Sequence, residues 1–146
     1  MLLKLDLGSG PRENWYADGD KWLHLDCEKY EGVVQWQCPE ERIPVEDRTV
    51  DEVFVGQLLV ELGRPEYTVA LAKEIDRVCC GGAVLKVHCY GERVRGGFEV
   101  WKEFFGWLQS NGWKFVKEVP VNRWEEEGVY TYLVEMRKGG KNDSSK

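Results

Sequence analysis

Asp6, Gly8 and Gly10 fall within Leu3-Lys4-Leu5-Asp6-Leu7-Gly8-Ser9-Gly10-Pro11-Arg12, where an apolar run breaks into a glycine-rich turn. A buried strand that ends in two glycines brings bare backbone close to a ligand, because neither glycine carries a side chain to keep it away. Some twenty residues on, Trp22-Leu23-His24-Leu25-Asp26 reads as a second strand ending in a carboxylate. In open α/β sheets this is where an acidic side chain accepts hydrogen bonds from ribose hydroxyls. The two features together read as a site for a nucleoside-containing cofactor. A dinucleotide fingerprint would need a third small residue after Gly8 and Gly10, and Glu13 stands in its place, which disfavours a pyrophosphate seat and a nicotinamide-dependent reductase.

The elements that must position these residues follow from periodicity. Val33-Val34-Gln35-Trp36 reads as a short third strand and Asp51-Glu52-Val53-Phe54-Val55-Gly56 as a fourth. Pro65 suits a helix start, and Leu71, Ile75, Val78 and Cys79 share one helix face, with Gly81-Gly82 expected to terminate it. Ala83 to Cys89 is a mostly apolar strand. Trp101, Phe104, Phe105 and Leu108 repeat the helical spacing up to Asn111-Gly112, and Trp113–Val119 and Val129–Met136 form a terminal hairpin. Alternating strands and helices predict a mainly parallel, three-layer sheet that closes with an antiparallel strand. Residues 1–138 form one domain, and 139–146 read as a disordered tail.

Composition narrows the partners. The formal net charge of -6 argues against general binding to a phosphate backbone, so nucleic acid is not expected. No apolar stretch is long enough to cross a bilayer and the start lacks the pattern of a signal peptide, from which a cytoplasmic location is expected. Five cysteines, an odd number without a C-x-x-C pair, suggest reduced thiols and no metal site.

With Leu-Asp-Leu-Gly-Ser-Gly-Pro at residues 5–11 and Asp26 at the end of the second strand, the chain resembles the class I S-adenosylmethionine-dependent methyltransferases, in particular the small type 11 group. Ile43-Pro44-Val45 through Asp51 is similar to that group's approach to its fourth strand, and Glu74 to Gly82 to the segment leading into its fifth. The resemblance implies a Rossmann-like three-layer α/β fold with a mainly parallel seven-stranded sheet and one antiparallel strand. It also implies S-adenosylmethionine as cofactor, contacted by Asp6, Gly8, Ser9, Gly10, Asp26, Cys27, Gln37, Cys38 and Gln57. Two positions depart from the group's pattern. Gln37 stands where an aspartate often meets the adenine amino group, its carbonyl oxygen being a substitute acceptor, with Trp36 or Pro39 covering a ring face; Gln57 stands where a histidine is common. His88 and Tyr90, in the loop region after the fifth strand with Arg93 and Arg95, are the candidate bases for a methyl acceptor that must lose a proton. As the sequence starts at its first strand, the site is expected to be open, closed by a second copy or a partner protein that uses the aromatic helix from Phe98 to Ser110. The alternative reading is a methyltransferase-like binding or regulatory module without catalysis.

Overall fold

The computed structural model describes residues 3–9, 22–56, 58–90, 97–121 and 131–140. Its strands are β1 (Leu3–Leu7), β2 (Trp22–Asp26), β3 (Val34–Gln35), β4 (Val50–Val55), β5 (Cys79–Tyr90), β6 (Trp113–Val121) and β7 (Thr131–Lys138). The helices are α1 (Leu58–Leu62), α2 (Pro65–Val78) and α3 (Gly97–Ser110). The seven strands make one sheet in the order β3-β2-β1-β4-β5-β7-β6. All neighbours are parallel except β7, which runs antiparallel to both β5 and β6. The fold is the expected Rossmann-like α/β sheet, with its antiparallel strand set one place in from the edge.

The sheet's two faces differ in chemistry, as the alternation of side chains along each strand requires. Leu5, Leu7, Leu25, Val53, Val55, Leu85, Val87 and Cys89 point to one side. There they form a single core with Leu71, Ala72, Ile75 and Val78 of α2 and Trp101, Phe104, Phe105 and Leu108 of α3. The opposite face carries a ladder of alternating charge across five adjacent strands: Lys4, Glu52, Lys86, Glu135 and Lys117. Its members approach one another at 3.7 Å (Lys4–Glu52), 3.5 Å (Lys86–Glu52) and 4.0 Å (Lys117–Glu135). The β1–β2 connection runs through residues 10–21, outside the described residues.

Three expectations about individual elements are corrected. Gly81-Gly82 does not end α2. The helix stops at Val78, β5 begins at Cys79, and both glycines lie inside that strand. The last carbonyls of the helix are taken by distant donors instead: Arg48 N–H bonds Arg77 O (3.1 Å), Thr49 N–H bonds Val78 O (2.9 Å), and Lys138 Nζ bonds Asp76 O and Cys79 O (2.7 and 2.8 Å). With these carbonyls satisfied, no glycine cap is needed. The third strand is shortened to Val34–Gln35, and Trp36 turns into the core with its indole N–H on Glu41 O at 3.0 Å. Trp36 is therefore a core residue and not a cover for a ligand ring. The short helix α1 lacks any sequence signal. Gly139 and Gly140, at the start of the expected tail, are described, and Gly139 N–H bonds Gly112 O at 2.9 Å; residues 141–146 lie outside the described residues.

Arg77 fastens the 43–48 loop to α2. Its guanidinium donates to Glu74 (2.8 Å), Asp47 (2.7 Å), Ile43 O (2.9 Å) and Val45 O (3.2 Å). Burial pushes the Glu74 carboxyl up, but the Arg77 guanidinium and the Ile43 N–H outweigh it and hold Glu74 below the ordinary carboxylate range. The Arg77 hydrogen bond likewise lowers Asp47. Carboxylates lowered by folding contribute stability that is present above their unfolded pKa and lost as pH falls through the folded one. Arg77→Met should therefore cost about 2–3 kcal/mol at pH 7, and the gap to wild type should narrow below about pH 4 as the carboxylates protonate. Urea unfolding of both proteins at pH 7 and pH 3.5 checks this; a gap independent of pH would place the loss in packing alone.

Candidate functional site

The site forms where β1, β4 and β2 end side by side. Leu7 lies beside Leu25 on one flank and Val55 on the other, and Val55 lies beside Val87, so the next residue of each strand marks the level where sheet gives way to loops. Gly8 turns the chain there with φ +74, the left-handed region that glycine enters without strain. The N–H groups of Gly8 and Ser9 both donate to Leu25 O, at 2.9 and 3.1 Å. The glycine loop is thus clamped to the end of β2, one residue before Asp26.

A Cβ added to Gly8 would stand 3.0 Å from the Leu58 Cβ of α1. Glycine is required at this position for α1 to pack against the loop, a reason that sequence alone did not supply. Ser9 is buried as well. Gly10 and Gln57 lie outside the described residues, as do Arg93, Arg95 and residues 122–130.

Asp6 is fully buried beneath the loop. Its Oδ2 lies 2.7 Å from Nδ1 of His24, which is 3% exposed and stands directly opposite on β2. His24 is the site residue that sequence reading passes over. The pair links two strands at one level, two residues below Gly8 on β1 and two below Asp26 on β2.

Asp26 closes β2, and its Oδ1 accepts the Glu28 N–H at 3.0 Å, so the carboxylate also sets the turn that follows. Cys27 is exposed and enters through its backbone, with its carbonyl oxygen accepting Gln35 Nε2 (3.2 Å) and Gln37 Nε2 (3.1 Å). Gln37 is exposed, and this bond uses the donor end of its amide, leaving Oε1 as the end that can meet an amino group. Trp36 N–H donates to Asp26 O at 2.8 Å and Gln37 N–H to Glu41 Oε1 at 2.8 Å, which bring the third-strand turn beside Asp26. The Cys38 thiol is pushed up to about 12 by burial, with Glu40, Cys27 and Glu74 adding to the effect. A half-buried thiol held neutral in this way is no nucleophile. Nearby, the Tyr30 hydroxyl donates to Glu28 at 2.6 Å, and this bond leads the rise of its pKa to about 12.

His88 follows Val87 on β5, at the level of Gly8 and two strands away, about 10 Å at ordinary strand spacing. It is 3% exposed, so it lies within the sheet at the rim of the site. Tyr90 pairs with Thr131 at the end of the same strand; its side chain lies outside the described residues. The structure therefore brings Asp6, Gly8, Ser9, Asp26, Cys27 and Gln37 to one edge of the sheet, with Cys38 next in the chain, and sets His88 and Tyr90 on its far flank.

No protein-family model and no curated protein matches the chain in sequence. Solved structures do match in fold. An S-adenosylmethionine-dependent methyltransferase from Aquifex aeolicus aligns over 93% of this chain and 81% of its own, with a TM-score of 0.62 at 23% identity. One from Methanosarcina mazei aligns over 94% and 92%, with a TM-score of 0.68 at 12% identity. The N-methyltransferase NodS of Bradyrhizobium japonicum, in complex with S-adenosyl-L-homocysteine, aligns over 94% and 78%, with a TM-score of 0.67 at 9% identity. At these identities the likeness is one of fold: the chain has the architecture found in S-adenosylmethionine-dependent methyltransferases.

Proposed function

We propose that the chain is an S-adenosylmethionine-dependent methyltransferase of small size. The observation that carries this reading is the clamp of the Gly8–Ser9 loop onto Leu25 O, which sets the glycine turn immediately beside the Asp26 carboxylate. The spacing suits a nucleoside joined to an amino acid. Asp26 accepts the two ribose hydroxyls, Oε1 of Gln37 accepts the adenine amino group, and the loop backbone faces the methionine portion. Asp6 is fully buried, so it acts on the ligand through the loop it supports. When bound, the cofactor supplies a methyl group on a positively charged sulfur. The chain's part is to hold an acceptor in line with that group, and His88 or Tyr90 on the flank takes the proton where the acceptor carries one. The acceptor is an oxygen, nitrogen or carbon nucleophile that fits this edge, and the motif at residues 5–11 resembles that of the type 11 group. Action in the cytoplasm is part of the proposal; among the described residues no helix is long and apolar enough to cross a membrane.

Calorimetry with S-adenosylhomocysteine and, separately, a nicotinamide dinucleotide tests this. The first should bind and the second should not. Asp26→Ala should weaken S-adenosylhomocysteine by about 1.5–3 kcal/mol, the scale of hydrogen bonds to a charged group, and Asp26→Asn by less. Equal affinity in wild type and Asp26→Ala would remove Asp26 from the site, and binding of the dinucleotide alone would overturn the assignment. Binding of S-adenosylhomocysteine without methyl transfer to any acceptor would favour a binding module.

A further inference from the structure

A groove of about 1160 Å³ runs between α3 and the edge strand β6, and none of the site residues above line it. Trp101 and Phe105 of α3 and Phe115, Val116 and Val134 of the sheet form its apolar wall. Phe105 and Phe115 meet with ring centroids 5.4 Å apart, and Phe115 still keeps 47% of its surface exposed. A concave, mostly aromatic wall is the make-up of a small-molecule site, which also needs a few placed polar groups.

Trp101 supplies one. It is 6% exposed, and its indole N–H is buried without a hydrogen-bond partner. Trp36 and Trp113 are buried too, yet each donates, to Glu41 O at 3.0 Å and to Asp76 Oδ1 at 2.9 Å. The Trp101 donor has lost its water and gained no acceptor in return, which is rare enough to call for a reason. Gly106 is the second residue of the groove that packing leaves unexplained. It lies in the interior of α3, where glycine is unfavourable relative to alanine. A Cβ built on it meets nothing within 4 Å, so no neighbour in the chain demands glycine there. Bare backbone at this point keeps the groove wide.

We infer that the groove binds a neutral, flat aromatic molecule carrying a carbonyl oxygen, which lies against Phe105 and Phe115 and accepts the Trp101 N–H as the indole tips toward it. The donor dictates the oxygen, because an indole N–H can be answered only by an acceptor. The aromatic wall dictates the ring, since flat rings stack on or meet the edges of Phe and Trp with the best contact. The rim dictates the charge: Lys102, Glu103 and Glu118 are of both signs and select neither an anion nor a cation. A peptide strand is a poorer occupant, because the register shift between Phe115 and Lys117 and Pro120 interrupt the β6 edge. An alkyl chain offers the N–H no acceptor along its length. The inference stands on the groove alone and does not depend on methyl transfer.

Prodan, a neutral naphthalene ketone whose emission moves to the blue in apolar surroundings, tests the inference on the full chain. It should bind saturably with a blue shift. The Trp101 indole N–H resonance, identified by its loss in Trp101→Phe, should move downfield while those of Trp36 and Trp113 stay in place. Trp101→Phe keeps an aromatic wall without the donor and should weaken Prodan by about fivefold to tenfold. Gly106→Leu fills the groove while favouring helix, so it should abolish Prodan binding and raise the melting temperature. Asp26→Ala should bind the probe as wild type does, and saturating S-adenosylhomocysteine should not displace it, which separates the groove from the cofactor site. No saturable binding to wild type overturns the inference. So does an unmoved Trp101 resonance, an affinity unchanged by both groove substitutions, or displacement of the probe by S-adenosylhomocysteine.

Discussion

His24→Leu should lower stability and abolish S-adenosylhomocysteine binding together, although His24 itself is buried below the glycine loop. The imidazole Nδ1 stands 2.7 Å from a carboxylate that has no exposed surface, and removing the imidazole costs about 3 kcal/mol because the carboxylate stays buried without this hydrogen bond. The damage reaches the site because Asp6 and His24 join β1 and β2 two residues below the loop and Asp26, and Leu25, whose carbonyl oxygen holds the loop, is the next residue after His24. His24→Asn keeps a donor near the Nδ1 position and should recover much of both properties. The double variant Asp6→Asn/His24→Leu, which replaces the buried carboxylate with a neutral amide, should be less destabilised than the sum of its single changes. Urea unfolding and calorimetry with S-adenosylhomocysteine check this. Strict additivity, or wild-type affinity in a folded His24→Leu protein, would show that the pair does not support the loop.

Why this histidine escapes a reading of the sequence is physical. A glycine turn after an apolar run and an acid at the end of the next strand carry their own local signals, and both were legible. A single histidine within Trp22-Leu23-His24-Leu25-Asp26 has none, since its meaning depends on which residue stands opposite, and that register is fixed only when β1 and β2 pair. The end of α2 teaches the same lesson. Gly81-Gly82 is a strong local stop signal, yet the carbonyls are satisfied by Arg48, Thr49 and Lys138, which no window along α2 contains. The five residues of α1 are too few to display a helical period, and Leu58 acquires its role only by meeting Gly8. Strands β1, β2, β4 and β5 stand out in the sequence because each buries apolar residues in the core, whereas the two exposed residues of β3 do not. The charge ladder on the other face emerges only once five strands have been aligned.

Gly8→Val should be the most damaging change in the glycine loop, and the structure separates its two causes. The backbone at Gly8 has φ +74, where a side chain costs roughly 1–2 kcal/mol and a β-branched one more. The added Cβ also reaches 3.0 Å from the Leu58 Cβ, so α1 must move, at about 1–3 kcal/mol for overpacking. The sum, about 3 kcal/mol or more, is a large part of what holds a domain of this size together. The milder Gly8→Ala allows the causes to be weighed. Leu58→Gly in the same chain removes the Cβ that makes the contact but leaves the backbone angle at Gly8 unchanged, so thermal unfolding should show the double variant recovering only the clash part of the Gly8→Ala loss, measured against Leu58→Gly alone. S-adenosylhomocysteine affinity should follow the backbone and not the contact. The hydrogen bonds from Gly8 and Ser9 to Leu25 O require the left-handed turn, and a loop that relaxes out of it no longer presents its backbone beside Asp26. Full recovery of both stability and binding in the double variant would show that the glycine serves α1 packing alone, and that the turn itself tolerates a side chain.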